Sequence, residues 1–444
     1  MSDSKFKELS AGINATPLTR AIGRVSGVSQ GTVIVRGLSD KASVGDQVQV
    51  QSREGRLISG DVLNLSVGSM TVLLDGTTEG VVMGDRVALL GKNSIFPHNN
   101  WIGRVIDPSG MPMDGRKLSK GAHEKALKSP PPNPTQRRAM GPRLETGLAV
   151  FNTLLPIVRG QRLGLFSGSG VGKSTLLSKL AKNVQADVVV VALIGERGRE
   201  VREFVDTVLG PEGMKRAVVI AATSDQSPLV RRRCAFTAMA VAEFFRDQGL
   251  HVLLLADSIT RFAEAHREVA LSSGEQANLR GFPPSTSSMI MGLCERAGPG
   301  AGTSGDITAI LTVLVAGSDM EEPIADILRG VLDGHIVLDR TIAERGRFPA
   351  IDLLRSVSRS LPLAASYEEN ELIKRSRQLL GAYDRAEMMI QAGLYSTGSD
   401  PLVDASIRTW PGLDAFLAQD EPNNVSSSFE RLTAILAMDT EEAG

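Results

Sequence analysis

The sequence predicts three successive parts: a small β-barrel, an α/β core built on a parallel sheet, and a helical tail. Three observations carry this reading. Short alternating runs broken by turn signals fill residues 20–95, apolar runs alternate with helical segments from about residue 145, and strand-like runs stop beyond about 365. Boundaries are drawn at 1–98, 99–364 and 365–444. A length of 444 residues agrees with about three domains, at roughly 150 residues each.

In the barrel segment, Val48 and Val50 alternate with Gln47, Gln49 and Gln51, and Leu63, Leu65 and Val67 repeat the pattern after Gly60-Asp61. Val44-Gly45-Asp46-Gln47-Val48 is echoed by Met83-Gly84-Asp85-Arg86-Val87, a spacing that suggests a closed or nearly closed barrel. A connector follows, with Asp107-Pro108, Ser109-Gly110 and Asp114-Gly115 as turns and a proline-rich end, Ser129-Pro-Pro-Pro-Asn-Pro134. In the core, 188–194, 217–222, 252–256 and 307–315 read as strands of a parallel sheet covered on both faces. In the tail, 369–392 and 429–438 read as helices.

Composition narrows the function. Hydrophobic content of 42% and charged content of 22% are those of a soluble globular protein. A net charge of −1 and only 4% aromatic residues argue against a basic or base-stacking surface for nucleic acid. Cys234 and Cys294 lie in apolar surroundings without motif spacing, as buried free thiols of a reducing cytoplasm do. The first residues are polar, without a signal-peptide core, and no run approaches the ~20 apolar residues of a membrane span. Any membrane role is therefore expected to be peripheral. Phe6, Leu9 and Ile13 fall at helical spacing, compatible with a short docking segment, ordinary packing or disorder.

The chemistry concentrates in Phe166-Ser-Gly-Ser-Gly-Val-Gly-Lys-Ser174, which follows an apolar strand-like run and precedes a helix-like one. That context marks a phosphate-binding loop. Ser167, Gly168, Ser169, Gly170, Val171, Gly172 and Thr175 supply the cradle, Lys173 reaches the β/γ-phosphates, and Ser174 offers a hydroxyl to Mg²⁺. The first glycine of the usual pattern is replaced by Ser167. About 85 residues after Lys173, the apolar run 251–256 ends in Asp257, a carboxylate placed to hold the Mg²⁺ shell. Glu196 directly follows the strand 188–194, in the crevice where α/β sheets bind ligands, and is a candidate to position and polarise water. A solvated loop of mixed charge is its competing reading.

Gly195-Glu-Arg197, Asp257-Ser-Ile-Thr-Arg-Phe262 and Pro349-Ala-Ile-Asp-Leu-Leu-Arg-Ser-Val-Ser358 resemble the hexameric rotary ATPase family, over about residues 20–410. This family includes the ATP synthase subunits and the ATPases of type III protein export. The resemblance implies a RecA-like P-loop NTPase core with an N-terminal β-barrel and a C-terminal α-helical domain. It implies that Glu196 is the catalytic carboxylate, where non-catalytic subunits usually carry Gln. It places Glu200 as a second acid near Mg²⁺-bound waters, and Arg197 and Arg261 as arginines that organise the site. Arg359 matches the finger given to a neighbouring subunit, and Phe348 the aromatic against adenine; a surface arginine and core packing are their plain alternatives.

Three features resemble the export branch, most closely its flagellar members: the P-loop spelling, Thr223-Ser-Asp-Gln-Ser-Pro-Leu-Val-Arg231 together with Asp333-Gly-His-Ile-Val-Leu-Asp-Arg340, and Gly393-Leu-Tyr-Ser-Thr-Gly-Ser-Asp-Pro401. The resemblance implies Mg²⁺-dependent ATP hydrolysis by a homohexamer at the inner-membrane base of the flagellum. Its implied partners are a regulatory protein at the N-terminal end, a coiled-coil stalk, export chaperones with their cargo, and a membrane export gate, with no nucleic acid. An injectisome ATPase, a rotary synthase catalytic subunit, a non-hydrolysing structural subunit and an RNA translocase are the alternatives. The run Arg231-Arg232-Arg233 stays open between an interface and a basic helix face.

Overall fold

A computed structural model describes residues 19–278, 281–315 and 320–437; Phe6, Leu9 and Ile13 lie outside the described residues. The chain divides into two compact units. One takes the chain through Pro132 together with Val188–Gln248 and Ala256–Arg296. The other takes Asn133–Asp187, Gly249–Leu255 and the chain from Ala297.

The first unit begins with a closed barrel of β1 (Ile22–Val28), β2 (Thr32–Arg36), β3 (Asp46–Gln51), β4 (Leu57–Ser66), β5 (Ser69–Leu74) and β6 (Arg86–Lys92), in the order β1-β2-β5-β4-β3-β6. Period-2 alternation does what it should: Val33, Val35, Val48, Val50, Val72 and Val87 fill the interior at zero exposure while their neighbours point outward. The two echoed segments form one device used twice. In the first, the Ser43 N–H donates to Asp46 Oδ2 at 2.8 Å, with Gly45 at φ +90°. In the second, the Val82 N–H donates to Asp85 Oδ2 at 2.8 Å, with Gly84 at φ +91°. The Asp side chain closes the turn and only glycine enters that backbone region without strain, so each turn launches a strand, β3 or β6.

Past the barrel, β7 (Ser94–Ile95) pairs with β9 (Lys125–Ala126), and between them the connector carries β8 (Arg104–Ile106). From sequence this stretch shows turns alone, because three residues are too few to show a period. The core strands follow as β10 (Arg162–Ser167), β11 (Val188–Glu196), β12 (Ala217–Thr223), β13 (His251–Asp257), β14 (Asp306–Leu314), β15 (Gly334–Leu338) and β16 (Ile351–Ser358). Within the first unit, β11, β12 and β8 lie in that order and run parallel.

Helix Pro228–Arg246 of the same unit packs Leu229 with Leu63, Leu73 and Val269. It also sends Arg233, 4% exposed, to Asp75 and Asp61, each at 2.8 Å. A second buried pair, Arg296 with Glu243 at 2.8 and 2.7 Å, ties helix Ser285–Glu295 to helix Pro228–Arg246, and the Arg296 guanidinium also donates to the Leu127 carbonyl at 2.6 Å. Removing one member of such a pair strands a buried charge, at about 3–5 kcal/mol. Cys234 and Cys294 are buried free thiols.

In the second unit the strand order is β16-β15-β10-β14, and β10 runs parallel to both β14 and β15. The all-parallel expectation is corrected at one edge, because β16 pairs antiparallel with β15. The reason lies in its sequence: Leu354, Arg355 and Val357 are exposed, so β16 lacks the continuous apolar run of a strand covered on both faces. Three helices close the described part of the chain. Tyr367–Gln391 starts with a capping box from Ser366 and Glu369, Pro401–Leu417 starts on the Asp400 side chain, and Val425–Ala437 ends the described part. Leu379, Leu413 and Leu432 form their core, and Tyr383 stacks on Trp410 with ring centroids 4.6 Å apart. Among the described residues no helix is long and apolar enough to cross a membrane.

Two imidazoles are buried in neutral form. His251 hydrogen-bonds Thr308 Oγ1 at 2.8 Å, and burial, followed by the Arg159 charge, pulls its pKa from 6.5 to about 4. Burial, then Arg232, does the same to His266, also to about 4. The folded pKa lies below the unfolded one, so the unfolded chain binds more protons between these values, and stability is lost as pH falls from about 6.5 toward 4. Each imidazole should cost about 1 kcal/mol between pH 7.5 and 5.5. Urea midpoints at the two pH values check this: His251→Gln should shrink the difference, and an unchanged difference contradicts the assignment.

Candidate nucleotide site

β10 ends at Ser167, and the chain turns through Gly170 (φ +79°) and Gly172 (φ +86°) into helix Lys173–Asn183. An L-residue at either φ would be strained, and a Cβ on Gly172 would stand 3.1 Å from the Phe348 ring. The helix has no side-chain N-cap, so its first N–H groups are left to the loop side, where Ser169, Gly170, Ser174 and Thr175 are exposed. Uncapped donors with the positive end of the helix dipole suit phosphate oxygens. Phe348 is 49% exposed and lies against this loop, the edge of a surface rather than core. Val171 is buried beneath the loop, and Gly168 is half-buried.

Ser167 is fully buried, and its hydroxyl has no hydrogen-bond partner among the described residues. Its carbonyl accepts the Val315 N–H at 3.1 Å, so the backbone is satisfied and only the side chain is orphaned.

The predicted carboxylates lie in the other unit. β11 pairs with β12 through Ile194, then slips a register before Glu196, with Gly195 at φ +69°. Such a bulge re-aims the residue that follows it. Glu196 emerges half-buried at the strand end, and Arg197, Gly198 and Arg199 beyond it are exposed. Burial opposes ionisation of Glu200, but a hydrogen bond with Glu196 and the charge of Arg197, 3.2 Å away, outweigh it and hold its pKa below the ordinary carboxylate range. Asp257 is 4% exposed at the end of β13, and the peptide bond after it is cis. Ser258 caps helix Ile259–Ser272, whose exposed Arg261 pairs with Glu264 at 3.0 Å. Gly195 faces the Arg231 and Arg261 side chains, each 3.5 Å from where its Cβ would stand.

The structure thus brings Phe348 to the P-loop, and Glu196, Glu200, Arg197 and Arg261 to one strand end. Arg359 is exposed just after β16; it hydrogen-bonds the Arg329 carbonyl at 3.1 Å and, among the described residues, nothing of the P-loop. Sequence reasoning left Arg231 unassigned. Here it bonds the Gln226 carbonyl at 3.1 Å and Glu268 at 2.9 Å beside Gly195, a placement that no spacing in the chain reveals.

A glycine-turned loop joining a parallel strand to an uncapped helix defines the class of P-loop nucleotide-binding proteins. Comparison with known proteins gives the family. Residues 147–358 match the ATP synthase alpha/beta family, nucleotide-binding domain, and residues 365–436 match the T3SS EscN ATPase C-terminal domain. The Caulobacter vibrioides flagellum-specific ATP synthase is 45% identical over 95% of this chain and 96% of its own. The one from Salmonella typhimurium is 48% identical over 72% and 70%. The assembled ATPase EscN of the enteropathogenic E. coli type III secretion system superposes with a TM-score of 0.87 at 36% identity, covering 93% of this chain and all of its own. EscN in complex with its central stalk EscO gives 0.85, again at 36% identity and 93% coverage. The chain belongs to the ATP synthase alpha/beta family, among its flagellum-specific members.

An orphaned buried hydroxyl carries a desolvation cost of about 1–3 kcal/mol. Ser167→Ala should therefore raise the denaturation midpoint while leaving the loop backbone and nucleotide affinity intact. A lower midpoint would mean that the hydroxyl has a partner in the working protein.

Proposed function

We propose that this chain is an ATP hydrolase acting as a homohexameric ring, and that hydrolysis primes flagellar type III protein export by releasing cargo from chaperones and delivering it to a membrane export gate. The observation that carries the catalytic part is Glu196: a carboxylate, not an amide, re-aimed by a bulge at the end of a buried strand.

The residues take these roles. Backbone N–H groups from Ser167 to Thr175 and the Lys173 ammonium hold the triphosphate, and Phe348 lies against the adenine. Glu196 orients and polarises the attacking water; Glu200, kept anionic, supports it, and Arg197 and Arg261 hold the carboxylates in place. Ser174 and Asp257 would hold Mg²⁺, a fit of donor type, since a hydroxyl and a carboxylate are the hard oxygen ligands this ion takes alongside phosphate and water. When bound, the ion neutralises charge on the β- and γ-phosphate oxygens. Arg359, exposed and uncommitted to its own P-loop, stabilises the transferring phosphoryl of a neighbouring copy, an effect worth roughly 10³–10⁵ in rate.

EscN was solved with a central stalk, and a coiled-coil stalk is proposed for this ring as well. A regulatory protein at the N-terminal end and a peripheral place at the inner-membrane base complete the proposal. Curated relatives at 45% and 48% identity favour the flagellar over the injectisome reading. Loss of filaments on deleting the gene supports the former; intact motility with lost effector secretion supports the latter.

Glu196→Gln should lower turnover by about 10²–10⁴-fold while leaving ATP affinity within a few-fold, as expected for a group acting on water rather than on bound nucleotide. Steady-state hydrolysis and nucleotide titration check this. Turnover near that of the parent would remove Glu196 from the mechanism.

A further inference from the structure

The three consecutive arginines of helix Pro228–Arg246 have three different environments. Arg231 is committed to Glu268 and the Gln226 carbonyl, and Arg233 to Asp61 and Asp75. Arg232 makes no hydrogen bond among the described residues, and the carboxylate oxygen it approaches, Asp61 Oδ2, is 3.9 Å away. It lines a cavity of about 220 Å³ in the first unit, between the barrel and this helix. Lys128, exposed at the rim of the same cavity, makes neither a hydrogen bond nor an ion pair among the described residues; its ammonium stands 5.8 Å from the Phe236 ring centroid.

The acids on the cavity wall are already engaged. Asp46 Oδ2 takes the Ser43 N–H at 2.8 Å, and Asp61 Oδ1 takes Arg233 at 2.8 Å and Asn93 at 3.0 Å. Lys92 adds another positive side chain to the lining. Desolvation, and then the Arg232 charge, lower the Lys128 pKa; desolvation also lowers that of Arg232, partly offset by Asp61. Arg232, Lys128 and Lys92 therefore share this space, and the carboxylate facing Arg232, Asp61 Oδ2 at 3.9 Å, is beyond hydrogen-bond reach and belongs to a side chain already bonded to Arg233.

We propose that this cavity is a binding site for a small phosphate-bearing anion, held between the Arg232 guanidinium and the Lys128 ammonium. A guanidinium offers a planar fork matched to two phosphate oxygens, and an ammonium adds a compact charge on a flexible stem. At about 30 Å³ per water the space holds roughly seven waters, enough for orthophosphate or pyrophosphate. The site is separate from the P-loop, shares none of its residues, and joins barrel and helix through one ligand.

Equilibrium dialysis with labelled orthophosphate and pyrophosphate tests this, using Lys173→Ala protein to weaken the P-loop. That protein should still bind about one anion per chain, and adding Arg232→Gln or Lys128→Gln should weaken binding about tenfold or more. Arg232→Lys, which keeps the charge, should retain part of it. Tighter binding of pyrophosphate than orthophosphate identifies a diphosphate ligand, and equal binding a single phosphate. If Arg232→Gln perturbs folding, Lys128→Gln at the rim decides alone. No anion bound in the Lys173→Ala protein, or binding unmoved by Lys128→Gln and Arg232→Gln, overturns the proposal.

Discussion

The open N-terminus of helix Lys173–Asn183 is the constraint around which the chemistry is arranged. Its donors have no side-chain cap, because Gly172 stands where Ser, Thr or Asp would normally accept from them. Several other helices are closed by a side chain, with Ser227, Ser258, Ser366 and Asp400 each accepting a backbone N–H, while helices Ser285–Glu295 and Pro323–Val331 are not. Leaving this helix uncapped is destabilising in the free protein, and an anion restores what the cap would have given. Gly170 and Gly172, both at positive φ, have no Cβ to stand between the backbone donors and a ligand.

Charge is handled differently in the scaffold and at the site. In the scaffold it is buried and saturated: Arg233 between two barrel aspartates, Arg296 against Glu243. Such pairs fix which surfaces meet, though their net stabilisation is small once desolvation is counted. At the strand end of β11, by contrast, Glu196, Glu200, Arg197 and Arg261 stay half-buried or exposed. Arg359 is the extreme case, an exposed guanidinium resting on a backbone carbonyl.

Much of this was legible in the sequence. Buried parallel strands announce themselves, and β11, β12, β13 and β14 each lie within a residue or two of the expected span because an apolar run has no other economical fate. The P-loop was readable from its spelling plus context. The repeated Gly-Asp turns betrayed the barrel. What was hidden shares one cause: it depends on residues distant in the chain. β8 is three residues long and β16 is an edge strand with one wet face, so neither has a local signature. The fates of Arg231, Arg232 and Arg233 depend on Glu268, Asp61, Asp75 and Lys128, which no spacing predicts. The bulge at Gly195 decides where Glu196 points, and a glycine alone does not announce it.

In the proposed ring, one chain supplies the phosphate loop and a neighbouring copy the arginine. Mixing two inactive proteins, Lys173→Ala and Arg359→Ala, tests this arrangement most directly. If Arg359 acts across an interface, about a quarter of the interfaces in randomly mixed rings pair an intact loop with an intact arginine, and hydrolysis should appear on mixing. If Arg359 serves its own loop, or none, the mixture will show no more activity than the two proteins measured separately.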